Sequence, residues 1–158
     1  MSDKARTLII DKVKTRINTY FGPSGSEESL FKKVRRDSVA FTRNAPMCRV
    51  NDGGQRSAGP NTNESSVRTL KIRIFLQLKG DWGRDNDNQV WSDNVERIIH
   101  LLENWTPPGC GVTDMKYVND DPFDMVFVES GDSQATWVIE FEADYFVEAE
   151  AKGNWTPE

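Results

Sequence analysis

Residues 67–79, VRTLKIRIFLQLK, alternate with a period of two. Leu70, Ile72, Ile74, Leu76 and Leu78 fall on one face; Thr69, Lys71, Arg73, Phe75, Gln77 and Lys79 fall on the other. A segment of this kind cannot bury both sides, so it predicts a strand with one face packed and the other wet. Residues 135–147, ATWVIEFEADYFV, repeat the pattern. Trp137, Ile139, Phe141, Ala143 and Tyr145 turn inward, and Val138, Glu140, Glu142 and Asp144 turn outward. The polar face of the first segment is basic and that of the second is acidic. Opposite charges facing each other across neighbouring strands contribute roughly 0.2–1 kcal/mol per pair. The two segments are therefore predicted to be neighbours, paired antiparallel.

The same sorting of charge runs through the whole chain. Residues 1–79 carry a formal charge of +9 and residues 80–158 carry −14, giving the net −5. One reading is that basic strands of the first half pair with acidic strands of the second. The other is a polar molecule with a basic and an acidic face, suited to head-to-tail association. Both readings stay open on the sequence.

Around these two strands the remaining elements fall into place. At 158 residues the chain suits one domain, with a core spanning about 5–148. Ile9, Ile10, Val13, Ile17 and Tyr20 form one face of an amphipathic helix over 5–20. Gly22-Pro23-Ser24-Gly25 ends it. The basic residues Lys32, Lys33, Arg35 and Arg36 follow, read as a solvated strand edge or turn, or as a docking surface for an acidic partner. Residues 38–50 read as short extended pieces broken at Pro46. Residues 51–66 and 80–88 read as two polar, flexible loops. A helix over 89–104 is predicted from Trp91, Val95, Ile98, Leu102 and Trp105, with Asn88 as its cap. Residues 112–118 and 123–129 read as separate strands, and 149–158 as a disordered tail. The expected fold class is α+β: a single mixed, mainly antiparallel sheet packed against one or two helices.

The inventory of reactive groups is thin. His100 is the only histidine, at the edge of an apolar stripe. Cys48 and Cys110 are too far apart in sequence to read as a zinc site or a disulfide framework, and each is expected to be a free, inert thiol. Gly109-Cys110-Gly111 lacks the later glycine and setting of a phosphate loop. Taking Asp85 as the first position of a calcium loop puts Val90 where a glycine is required. Asp120, Asp121, Asp124 and Glu129 read as a solvated acidic turn; a metal-dependent enzyme using residues 120–129 is the competing class. No catalytic residue, cofactor or metal is expected. The N-terminus lacks the apolar run of a signal peptide and no stretch is long enough to cross a bilayer, so a soluble, cytoplasmic protein is expected.

In element order, an amphipathic helix precedes an arginine-containing segment and the strand Ala45-Pro46-Met47-Cys48-Arg49-Val50. A polar loop, RTLKIRIFLQLK, a helix with two tryptophans and WVIEFEADYFVE follow. This order, over residues 5–148, resembles the tail terminator proteins of long-tailed bacteriophages, and more loosely the related neck and tail-completion proteins. The resemblance implies a non-catalytic virion protein, assembled in the host cytoplasm. It would form a ring, usually of six subunits, that caps the tail tube, stops its polymerisation and joins it to the head connector. DNA would pass through the lumen without specific binding. Self, the tube protein and the connector are then the partners, and no membrane is involved. Interface residues expected on this reading are Arg35, Arg36, Arg56, Asp81, Trp82 and Arg84.

Overall fold

The alternating segment takes the middle of a five-stranded sheet. The structure, a computed structural model, describes residues 5–36, 46–59, 65–79, 85–127 and 133–148. In chain order the elements are α1 (Ala5–Phe21), β1 (Lys33–Arg35), β2 (Met47–Ser57), β3 (Ser65–Lys79), α2 (Asp85–Glu103), β4 (Val112–Phe127) and β5 (Ser133–Glu148). Across the sheet the strands lie in the order β1-β2-β3-β5-β4. The β1–β2 pair is parallel and the other three are antiparallel. The fold is α+β with one mixed, mainly antiparallel sheet, as the patterning predicts. The expected β3–β5 pairing is also present, with Lys71 opposite Glu142 and Arg73 opposite Glu140.

One face of the sheet holds the core. Leu70, Ile72, Ile74, Leu76 and Leu78 of β3 are fully buried, as are Ile139, Phe141 and Ala143 of β5. Both helices lie against this face. α1 supplies Ile9, Ile10, Val13, Ile17 and Phe21, and α2 supplies Val95, Ile98, Ile99 and Leu102 to the same cluster. Burying one such side chain contributes about 1.5–3 kcal/mol. Arg16 of α1 ties the helices together. Its Nε donates to the Leu101 carbonyl at 2.8 Å, and its guanidinium lies 4.7 Å from the Trp105 ring centroid and 5.2 Å from that of Tyr20. Arg97 of α2 lies 4.9 Å from the Phe21 ring and 3.3 Å from Glu28.

Several sequence boundaries are corrected. Residues 51–57 belong to β2 rather than to a loop, and β3 begins at Ser65. A bulge between Asp52 and Gln55 absorbs Gly53 and Gly54. Gly54 sits at φ 99°, where only glycine is at ease, and its N–H donates to the Asp52 carboxylate at 2.7 Å. A Cβ on Gly53 would meet the Lys71 side chain at 2.8 Å. α2 begins at Asp85, so residues 85–88 are helical and Asn88 is no cap. Residues 112–127 form one strand, not two, and Asp120 and Asp121 lie within it rather than on a turn. Three register shifts and Pro122 fit there because β4 is an edge strand. Residues 46–50 enter β2 after Pro46; 38–45 lie outside the described residues, as do 60–64, 80–84 and the predicted tail 149–158.

The face away from the helices is not uniformly wet. Gln77 and Thr136 are buried there beside Met47 and Arg49. The Arg49 guanidinium donates to the Gln77 carbonyl oxygen at 2.8 Å, so this buried amide is hydrogen-bonded. Thr69 is also buried, and donates to Asp144 at 2.6 Å.

Candidate functional site

The strand order turns the charge split into geometry. Read from β1 to β4, the formal charges of the strands are +2, +1, +4, −4 and −3. Strands of net positive charge lie on one side of the β3–β5 boundary and strands of net negative charge on the other. At that boundary they compensate one another. Glu140 lies 3.4 Å from Arg73 and 3.9 Å from Lys71. Arg56 reaches across β3 from β2 to Glu142 at 2.7 Å with a second contact at 3.3 Å. Asp144 takes the Thr69 hydroxyl and lies 3.6 Å from Lys116 of β4. The Arg56 hydrogen bond holds the Glu142 carboxyl below the usual carboxylate range.

Each outer strand also carries a charged side chain without an ion pair among the described residues, Lys33 on β1 and Asp121 on β4. On β1, Lys33 and Arg35 are exposed and point to the side away from the helices, as do their partners Met47 and Arg49. On β4, Asn119 and Asp121 are exposed opposite Glu140 and Val138, on that same side. Asp120 faces the other way. It accepts from Trp137 Nε1 at 2.7 Å and from the Tyr117 hydroxyl. Burial and this bond to a carboxylate push the Tyr117 hydroxyl up to about 12. Tyr117 and Val118 are exposed apolar side chains on the same stretch, at 37% and 42%.

A second polar group stands at the start of α1. Arg6 donates from Nε and Nη2 to the two carboxylate oxygens of Asp52 on the helix side, the second bond at 2.8 Å. The Arg6 bond lowers the Asp52 carboxyl below its usual range. Tyr145 is buried nearby and donates its hydroxyl to Gln55. These contacts close one end of the core.

The predicted interface residues are distributed as follows. Arg35 is on the β1 edge, and Arg36 directly follows it, 3.9 Å from Asp11. Arg56 is a strand residue held by Glu142 rather than a loop anchor. Asp81, Trp82 and Arg84 lie outside the described residues. Sequence reasoning placed Lys33 in a basic strand edge or turn but missed Asn119 and Asp121 as edge residues, because edge membership depends on strand order. His100 is exposed on α2 beside Glu96 at 3.4 Å. Cys48 and Cys110 are free and buried, and burial raises both thiols. Among the described residues no group of three or more His, Cys, Asp or Glu is placed to hold a metal ion, and no helix is long and apolar enough to cross a membrane. No protein-family model matches this chain, and no curated protein matches it significantly.

Proposed function

We propose that this chain is a structural subunit that works by associating with copies of itself in a ring. The observation that carries the proposal is the order of charge across the sheet, from +2 at one edge strand to −3 at the other. A subunit with unlike edges favours heterologous, head-to-tail contacts, and such contacts close into rings when the rotation between copies allows. Like edges repel, which suppresses the back-to-back alternative. The engagement of Asp120 by Tyr117 and Trp137 also removes one carboxylate from any metal site in the 120–129 region.

The element order adds the biological setting. By its resemblance to tail terminator proteins, the ring would cap a phage tail tube, stop its growth and present a surface to the head connector. Arg36, with Asp81, Trp82 and Arg84, would serve those contacts. Native mass measured at assembly concentrations tests the reading. The expected result is a discrete multiple of the 18.0 kDa subunit. A strict monomer, alone and with tube protein present, would overturn it.

A further inference from the structure

Resting on that reading of a self-associating subunit, we infer that the contact between copies is an edge-to-edge strand pairing. The β1 edge of one copy joins the β4 edge of the next and carries the sheet through the junction. Among the described residues no strand pairs with the outer side of either β1 or β4. An open strand edge presents unpaired N–H and C=O groups that another chain can extend.

Strand direction favours this arrangement. β1 runs with β2 and β5, while β3 and β4 run the opposite way. A copy repeated along the sheet, without being turned over, therefore brings its β1 antiparallel to the β4 that it meets.

Length and chemistry fix the register. β4 is interrupted by a register shift between Tyr117 and Asn119, and Pro122 has no N–H to offer. Between them lie Asn119, Asp120 and Asp121, three regular residues. β1 is also three residues, Lys33, Val34 and Arg35. Paired antiparallel and face to face, Lys33 stands opposite Asp121 and Arg35 opposite Asn119, all on the side away from the helices. Val34 then stands opposite Asp120 on the helix side, where Asp120 is already engaged by Trp137 and by the half-exposed Tyr117. The irregularities on either side blunt the rest of β4 against indiscriminate pairing. A contact this short needs its charges, so association should fall as salt rises.

Two charge-reversed variants test the assignment. Lys33→Glu with Arg35→Glu makes both edges acidic. Asn119→Lys with Asp121→Lys makes both edges basic. By sedimentation velocity, each alone is expected to lose self-association at least tenfold. Mixed in equal amounts they should recover it, because each reversed edge then meets its complement and the copies alternate. If the unaltered protein assembles but either variant assembles equally well alone, or the mixture stays dissociated, the edge pairing is wrong while self-association stands. If the unaltered protein is itself monomeric under all conditions, the proposed function falls with it. Circular dichroism checks that the variants fold. Should a reversal unfold the chain, Lys33→Gln and Asp121→Asn take its place. Compared at low salt, weaker association of these neutralised variants than of the unaltered protein supports the pairing, and equal association rejects it.

Discussion

β5 and β4 are adjacent, antiparallel and similarly acidic, yet their carboxylates are placed for different work. β5 lies inside the sheet, with β3 on one side and β4 on the other. Each of its carboxylates at 140, 142 and 144 has a basic side chain from a neighbouring strand: Lys71 and Arg73, Arg56, and Lys116. β4 has a strand on one side only. Its Asp120 serves Trp137 and Tyr117, and Asp121 faces solvent without an ion pair among the described residues. The same residue type is thus structural in one strand and available in the next. Position in the strand order, not composition, makes the difference.

The comparison is broken most severely from inside β5. Phe141 is fully buried and its ring meets Tyr117 of β4 edge-on, with centroids 5.9 Å apart. Phe141→Ala leaves a cavity between sheet and helices and is expected to cost about 3–5 kcal/mol. Chemical denaturation checks this through a lowered midpoint. A cost near zero would mean that the two strands do not share one core.

Next comes a β4 carboxylate with an internal task. Asp120→Ala strips the hydrogen-bond partner from the Trp137 indole, a side chain only 8% exposed. Leaving a buried donor unsatisfied costs about 1–3 kcal/mol. The same change should release Tyr117. In the native protein its hydroxyl titrates at about 12, above the ordinary tyrosine value of about 10. A raised value means that folding favours the neutral phenol. Its contribution is full below about pH 10 and is lost as pH climbs through about 12. Ultraviolet titration of the phenols should show Tyr117 titrating late in the native protein and earlier in the variant, where the bond to the carboxylate is gone.

Much of this arrangement was legible in the sequence where side-chain pattern and burial agree. The alternation of β3 and β5 identified both inward faces, and opposite charge identified the two as partners. Legibility failed where a local signal resembled a breaker. Gly53 and Gly54 read as loop, but the Asp52 carboxylate anchors them as a bulge inside β2. Residues 119–122 read as a break between two strands, but the edge strand β4 runs through them and tolerates Pro122. The polar run before Val90 read as loop although α2 already begins at Asp85. Gln77 read as a residue of the wet face, yet it is buried and bonded to Arg49. The candidate edges were least legible of all. Arg35 was singled out for its charge, while Asp121 gained its meaning only when β4 proved to be the far edge of the sheet.

A smaller effect separates the paired carboxylates from the solvent-facing one. Glu142→Gln removes the charge that Arg56 grips, and pairs of this exposure contribute about 0.2–1 kcal/mol. Acid should produce the same loss without mutation. The folded values of Glu142 and Asp52 lie below their ordinary ones, so folding favours the ionised forms. Their contribution is present above the ordinary values of about 4 and disappears as pH falls through the lower folded values. Denaturation midpoints measured from pH 6 down to pH 3 should therefore decline less steeply in Glu142→Gln than in the unaltered protein.

The smallest change in stability is expected at Asp121, and that is what gives it diagnostic force. Asp121→Asn alters an exposed edge residue with no ion pair among the described residues, so the fold should keep its stability within about 0.5 kcal/mol. Glu142→Gln, by contrast, should lower stability and leave association between copies nearly untouched, because its charge is spent inside the sheet on Arg56. The two variants should therefore separate in opposite directions when denaturation and sedimentation are measured on the same samples. If Asp121→Asn weakened the fold as much as Glu142→Gln does, β4 and β5 would be equivalent acidic strands, and the distinction between an internal and an available carboxylate would fail.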